Sequence, residues 1–510
     1  GGNFNTVVGD EAGTAITTGD DNTALGMEAL KTATTATANT AIGRATLKLT
    51  TTGASNTAVG YAALFNNTTA SNNTAVGDQA LLANTTGTQN TALGALSLDA
   101  NITANNNTAV GYASLSLSTT GTQNSSVGSQ SLLANTTGDY NSALGQNALV
   151  SNTTGNQNTA LGAYALTTNT TSSTSTAVGY QAGQNSTATA TTAVGYRAGV
   201  SITTGASNAA FGVAIMSGGA VTGDYNTGVG NDALQVNTSG AWNFAGGKNA
   251  LFVNTTGSYN TAVGGQALDA NTTASNNTAV GYASLSENTT GSENTALGYQ
   301  ALLTATTAAN NTAVGMNSLA LTTTGANNTA VGKSALVANT TASYNTAVGS
   351  VAGTAVTTGV NNTFVGGLCG DATDDGADNT AVGQGALSAN CGNSNSALGH
   401  GSLALCTGAT NTAVGVDTLG SCQGGNNNTS IGVNSGFQVT SGSTNAFFGR
   451  DAGRTGAPGG AVTTGSNQLC LGDETITNAH VQVDWTVASD ARDKTDFTAL
   501  DLGLDFVKAL

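Results

Sequence analysis

The chain has 510 residues, of which 70 are glycine and one is proline, and aromatic side chains make up only 5%. This composition excludes an ordinary core of large apolar side chains, because each residue brings little apolar area to bury. Eleven Lys and Arg against 27 Asp and Glu give a net charge of -16, so a nucleic-acid backbone would be repelled and no nucleic-acid partner is expected.

The N-terminal Gly1-Gly2-Asn3-Phe4 has neither a basic nor an apolar leader region, and no run of 18 apolar residues follows, so no membrane insertion is expected. The chain lacks an initiator Met and enters a repeat at Asn5, which reads as a piece of a longer or processed protein. From there the motif Asn-Thr-Ala-Val-Gly, with Leu or Ile at times in place of Val, returns through Asn56, Asn73 and onward to Asn411. Its closing glycine marks 28 units from Gly9 to Gly472, and 22 of the 27 intervals are 17 residues long. Repetition at that period means one small unit stacked many times, not several globular domains.

Numbering each unit from its Asn, as in Asn56 to Asn72, places apolar residues at positions 3–4 and 8–9, with Asn, Thr and Gly between them. These runs are too short for helices, so each unit reads as two brief strands joined by two corners. The expected fold is all-β: a parallel β-solenoid, or β-roll, of about 28 coils. Gly at position 5 points to a positive φ or a close backbone approach. Asn at positions 1 and 12 is expected to form amide ladders along the axis. Val, Ile or Leu at 4 and Leu at 9 are the expected core, whereas Ala at 3 and 8 suits a surface approached closely by another chain. So lean a coil calls for more burial than one chain supplies, and a parallel homotrimer, each chain with two further copies of itself, is expected.

The repeat resembles the β-roll heads of trimeric autotransporter adhesins, whose coils carry an Asn-Ser-x-Ala-Ile-Gly strand, although those repeats are typically shorter. Similar Asn-Thr-Ala-Val-Gly arrays occur in phage tail-fibre shafts. These resemblances imply an extracellular filament.

After Gly472 the period stops. His480 to Val487 alternates and reads as a strand. Then Ser489-Asp490-Ala491-Arg492-Asp493-Lys494 matches the Ser-Asp-x-Arg-x-Lys signature of the endosialidase-type intramolecular chaperone, the self-cleaving C-terminal module of many phage tail spikes and fibres. The spacing of Leu500, Leu504 and Val507 gives a short amphipathic helix, as that family has. The resemblance implies autoproteolysis between Ala488 and Ser489, with Ser489 as nucleophile and Lys494 as its base, a role that requires a lowered lysine pKa. It covers about 22 residues, so 489–510 reads as the truncated start of that domain, after a shaft over 1–472 and a transition over 473–488.

Further candidates lie within the repeats. Tyr61, Tyr112, Tyr282 and Tyr299 occupy position 6, and Trp242 lies in a stretch, 205–247, where one interval lengthens to 18 residues. Their rings are candidate contacts for a cell-surface glycan, against the plainer reading of corner packing. Asp371, Asp375 and Asp378 mimic half of a calcium loop but lack its closing glutamate, which makes them a weak metal candidate. Cys391, Cys406 and Cys422 fall near position 12 of successive coils, within disulfide reach if the coils stack. The paired Thr68 and Thr69 resemble the threonine ranks of ice-binding solenoids but sit in a turn.

No cofactor motif stands out, and the regular coils supply no carboxylate pair for glycan hydrolysis. The expected function is therefore structural, apart from self-cleavage: the shaft of a trimeric phage tail fibre involved in host attachment, located in the virion. A bacterial trimeric adhesin head is the alternative.

Overall fold

The computed structural model describes residues 2–478 and residue 480. Residues 481–487 of the strand expected over 480–487, the helix after it, and Ala488, Ser489 and Lys494 lie outside the described residues. Within them the chain forms a solenoid of 28 three-residue strands, from β1 (Thr6–Val8) to β28 (Leu469–Leu471), joined into one sheet. Each strand pairs in parallel with the next, and equivalent positions face each other: Thr57 pairs with Thr74, Ala58 with Ala75 and Val59 with Val76. At the usual spacing of about 4.8 Å per strand the stack runs about 130 Å. Among the described residues there is no helix long and apolar enough to cross a membrane.

Each coil has one strand, at positions 2–4, not two. The second apolar patch is a folded corner in which positions 7 and 9 both take left-handed backbone: φ is 53° at Ala62 and 51° at Leu64. Its peptide groups still pair between coils, but in alternating directions. Ala62 N–H donates back to the Arg44 carbonyl at 3.0 Å, and Leu64 N–H donates forward to the Ala80 carbonyl at 3.0 Å. The backbone is thus satisfied without a ladder, which is why a short apolar run here reads falsely as a strand. A left-handed leucine costs roughly 1–2 kcal/mol; complete burial of its side chain, worth roughly 1.5–3 kcal/mol, offsets this.

The inside and outside of the coil also differ from the expected assignment. Ala58 and Ala63, at positions 3 and 8, are fully buried with Leu64, whereas position 4 faces outward: Leu25, Leu93, Leu144 and Leu398 are each about half exposed. The reason is the pleat. In a three-residue strand the middle side chain points one way and its two neighbours the other, so the small residue is the one turned inward. The coil is narrow enough that Ala and Leu fill it.

Two buried amide columns run through this interior. At position 1, Asn56 donates from its backbone N–H (3.0 Å) and from Nδ2 (3.1 Å) to Asn39 Oδ1, and Nδ2 also donates to the Ala70 carbonyl at 2.9 Å. At position 12, Asn101 Nδ2 donates to Asn84 Oδ1 at 2.7 Å. Both ladders match expectation. The position-5 glycine answers both constraints proposed for it: φ is 129° at Gly60, and a Cβ there would sit 2.5 Å from the Gly77 carbonyl oxygen.

Departures from the consensus compensate one another across coils. Phe364 and Phe447 replace the position-3 alanine and are fully buried. Position 9, normally Leu, is then glycine in the same coil and in the one before: Gly353 and Gly370 flank Phe364, and Gly436 and Gly453 flank Phe447. A Cβ on Gly370 would lie 2.6 Å from the Phe364 ring. Where position 9 loses its leucine, position 12 often exchanges Asn for a branched apolar residue, as in Gly199 with Ile202, Gly353 with Val356 and Gly436 with Val439; these three are fully buried. Restoring leucine beside the phenylalanine, as Gly370→Leu, is expected to destabilise the rod locally by about 1–3 kcal/mol through overpacking. The same change in a Phe364→Ala background rebuilds the common Ala and Leu pair and should stabilise. Denaturant titration of the four proteins of this cycle checks it; additive effects within about 0.5 kcal/mol would show that the two sites do not share one space.

Candidate functional site

The outward side chains form columns, because each coil places its position directly over the same position of the next. Position 6 follows the glycine corner, and position 17 holds a left-handed residue just before the buried Asn. The aromatic candidates stand on these two columns, all about half exposed.

Stacking decides what these rings can offer. Tyr282 and Tyr299 lie face to face with centroids 5.7 Å apart and planes 18° off parallel. Trp242 stacks on Tyr225 at 4.2 Å, and both have positive φ, an unusual conformation for bulky side chains. One face of each of these rings is therefore covered by a neighbour. Tyr61 carries the Arg44 guanidinium 5.8 Å from its centroid, and beside it a shallow groove of about 330 Å³ is lined by Phe65, Asn66, Gln79 and Leu82. Tyr112 stands between the small side chains of Ala95 and Ser129. Of the glycan candidates only Tyr282 and Tyr299 are brought together; Tyr61, Tyr112 and Trp242 stand apart on other coils of the rod. Near Trp242, the lengthened interval is absorbed inside the coil: Ile215 and Met216 are fully buried, and Gly228 stands at position 3, where a Cβ would meet Ile215 at 2.6 Å.

The acidic candidates do not converge. Asp378 accepts a hydrogen bond from Asn361 Nδ2 at 3.0 Å, Asp375 is exposed, and Asp371 holds a buried Oδ1 without a partner. Among the described residues no group of three or more His, Cys, Asp or Glu side chains is placed to hold a metal ion.

Cys391, Cys406 and Cys422 are buried free thiols continuing the column of Thr373, whose hydroxyl lies 3.3 Å from Cys391 Sγ. Cys406 donates to Cys422 Sγ at 4.0 Å; that hydrogen bond and burial push the Cys406 thiol well up. Burial raises Cys369 to about 12. Such thiols are poor nucleophiles near neutral pH. The threonine pair is likewise structural in part: Thr68 Oγ1 donates to the Thr85 carbonyl at 3.1 Å, so the first hydroxyl of the pair is tied to the next coil.

Two carboxylates at position 10, Asp99 and Asp269, are pushed above the ordinary range by burial, against the opposing hydrogen bonds from Ser116 (2.5 Å) and Ser286 (2.6 Å). They belong to the coils of β6 (Thr91–Leu93) and β16 (Thr261–Val263), about 48 Å apart at the strand spacing. A glycosidase pair needs carboxylates within roughly 10 Å of each other, and these two do not form one.

No protein-family model matches the chain, and no curated protein is significantly similar to it. The outward columns themselves supply the features that motif reading missed: Lys248 and Gly265, which become neighbours of Tyr282 only when the coils are aligned and position 6 is read downward.

A carboxylate whose folded pKa is raised binds its proton more tightly in the folded state, so stability falls as pH climbs through and above its unfolded value of about 4. Asp99→Asn, which retains an acceptor for Ser116, is expected to raise the melting temperature modestly at pH 7, and the gain should vanish at about pH 3. Thermal melts at the two pH values test this; equal gains at both would contradict it.

Proposed function

We propose that the chain is the shaft of a homotrimeric attachment fibre, extracellular and of the phage tail-fibre type, acting as a structural element. The observation that carries this reading is the outward face of the sheet. Position 4 presents Val, Leu, Ile or Phe through nearly the whole rod beside a column of mostly Thr and Ser at position 2, and Leu144, Leu161 and Ile431 are each more than 40% exposed. Around β8 (Ser125–Val127) to β10 (Thr159–Leu161) the face forms a shallow groove of about 280 Å³ between Val127, Leu144 and Leu161. A continuous apolar stripe of this length exceeds what a monomer ordinarily leaves in water. A partner that covers it must carry the same strand repeat over the same length, and another copy of this chain does so. Three parallel copies converge with their position-4 columns on a shared axis.

Such an assembly has a registration problem. Sliding one copy by a whole coil changes few contacts, because most coils are alike. A nucleating module at one end removes the degeneracy, and the Ser489 to Lys494 motif supports a C-terminal chaperone in that role, with cleavage between Ala488 and Ser489. The adhesin-head alternative shares the trimer and differs in what adjoins it.

Native mass spectrometry of the product of the complete gene is expected to give three chains, each ending at Ala488, and Ser489→Ala should leave the chains uncleaved. Replacing Leu144 and Leu161 with lysine should weaken the trimer at least tenfold, read by sedimentation, while the circular dichroism of each coil stack persists. A wild-type monomer with intact β structure would overturn the proposal.

A further inference from the structure

The position-6 column contains an open rung. Where tyrosines follow each other on this column, their rings stack: Tyr180 on Tyr196 at 5.8 Å and Tyr282 on Tyr299 at 5.7 Å. The coil before Tyr282 has Gly265 at this position, so one ring slot holds no side chain. A Cβ on Gly265 would lie 3.5 Å from Tyr282 Cδ2, in ordinary contact with the ring. Tyr282 thus has one face on Tyr299 and the other turned to the slot. On the far side stands Lys248, and the amides of Asn249 and Gln266 line the notch, whose volume is about 320 Å³.

Lys248 forms no ion pair among the described residues, although the chain carries 27 acidic side chains. Carboxylates on the two adjoining coils accept hydrogen bonds from other side chains. Asp232 accepts from Gln235 Nε2 at 3.1 Å and from Asn231, and Asp269 accepts from Ser286 Oγ. The notch therefore combines an open aromatic face, two amides and an ammonium that forms no ion pair among the described residues.

We propose that this notch is a subsite for an acidic pyranose, a uronic-acid unit of a surface glycan. The sugar ring takes the open rung with its C–H face on Tyr282, its carboxylate meets Lys248, and its hydroxyls pair with Asn249 and Gln266. The aromatic face selects a flat apolar surface, the amides select hydroxyls, and the ammonium selects an anion. A pyranose acid carries all three in one ring. The inference deepens the attachment-fibre reading by naming a ligand class for one place on the shaft.

The test is saturation-transfer NMR on the full chain with glucuronic acid and glucose as probes, alongside Gly265→Tyr and Lys248→Gln. Tyrosine already occupies position 6 in neighbouring coils, so Gly265→Tyr closes the slot within a side-chain pattern the fold accepts, and circular dichroism verifies the stack. Glucuronic acid is expected to receive saturation from the wild type and to lose it with Gly265→Tyr. Lys248→Gln should weaken the acid about tenfold and leave the response to glucose unchanged. No transfer to glucuronic acid, equal transfer with Gly265→Tyr, or equal responses to the two sugars would overturn the site. Sedimentation of the same samples separates the two proposals: a monomer that binds the acid refutes the trimer and keeps the site, and a trimer that does not bind it does the reverse.

Discussion

Each coil lies against a near copy of itself, and that single constraint governs the choice of residue at every position. A side chain is acceptable where its own image one coil away is a good neighbour. Asparagine meets the condition inside the rod because its amide both donates and accepts, so Asn39, Asn56 and Asn73 form a continuing chain. Glycine meets it at position 5, where a side chain would collide with the next carbonyl. Charged residues do not meet it, since like charges would stack at the strand spacing of about 4.8 Å. A charged fraction of 7% follows from this geometry.

The same constraint explains how variation is tolerated. An enlarged residue intrudes on its own coil and on the one before, so its compensation appears in both, as with Gly370 and Gly353 around Phe364. The interior behaves as a close-packed column in which volume is conserved locally. On the outside the column rule turns single substitutions into composite surfaces: aromatic residues one period apart become stacks, and a glycine between side chains becomes a notch. The surface chemistry of the rod is thus written at intervals of a coil, not along contiguous sequence.

Much of the architecture was legible in the sequence. The 17-residue period, the parallel stacking, the two asparagine ladders and the special role of the position-5 glycine all follow from repetition alone. The faces of the strand were not legible. Thr57-Ala58-Val59 is too short to show alternation, and ranking by hydrophobicity placed Val59 inside when the narrow interior accepts Ala58. The second patch misled for a different reason: Ala62 and Leu64 adopt left-handed backbone, uncommon for such residues and held here by hydrogen bonds between the stacked coils, and no local propensity announces it. At the surface, the rings of Tyr61, Tyr112, Tyr282, Tyr299 and Trp242 could be counted as exposed, but their mutual stacking depends on the coil-to-coil alignment. The Lys248, Gly265 and Tyr282 notch spans three repeats for the same reason.

With alanine turned inward, the apolar column at position 4 is left facing water, and the proposed trimer gives it a partner whose repeat matches by identity. An attachment fibre needs length, stiffness and a surface that can vary without disturbing the core, and a solenoid whose outward columns are independent of its amide ladders supplies all three. Small-angle X-ray scattering of the assembled protein addresses both the stacking and the face-to-face assembly in one experiment. A rod about 130 Å long, with a mass per unit length three times that of one chain, is the expected result. A rod of that length with the mass per unit length of one chain would contradict the assembly, and a compact particle would contradict the solenoid itself.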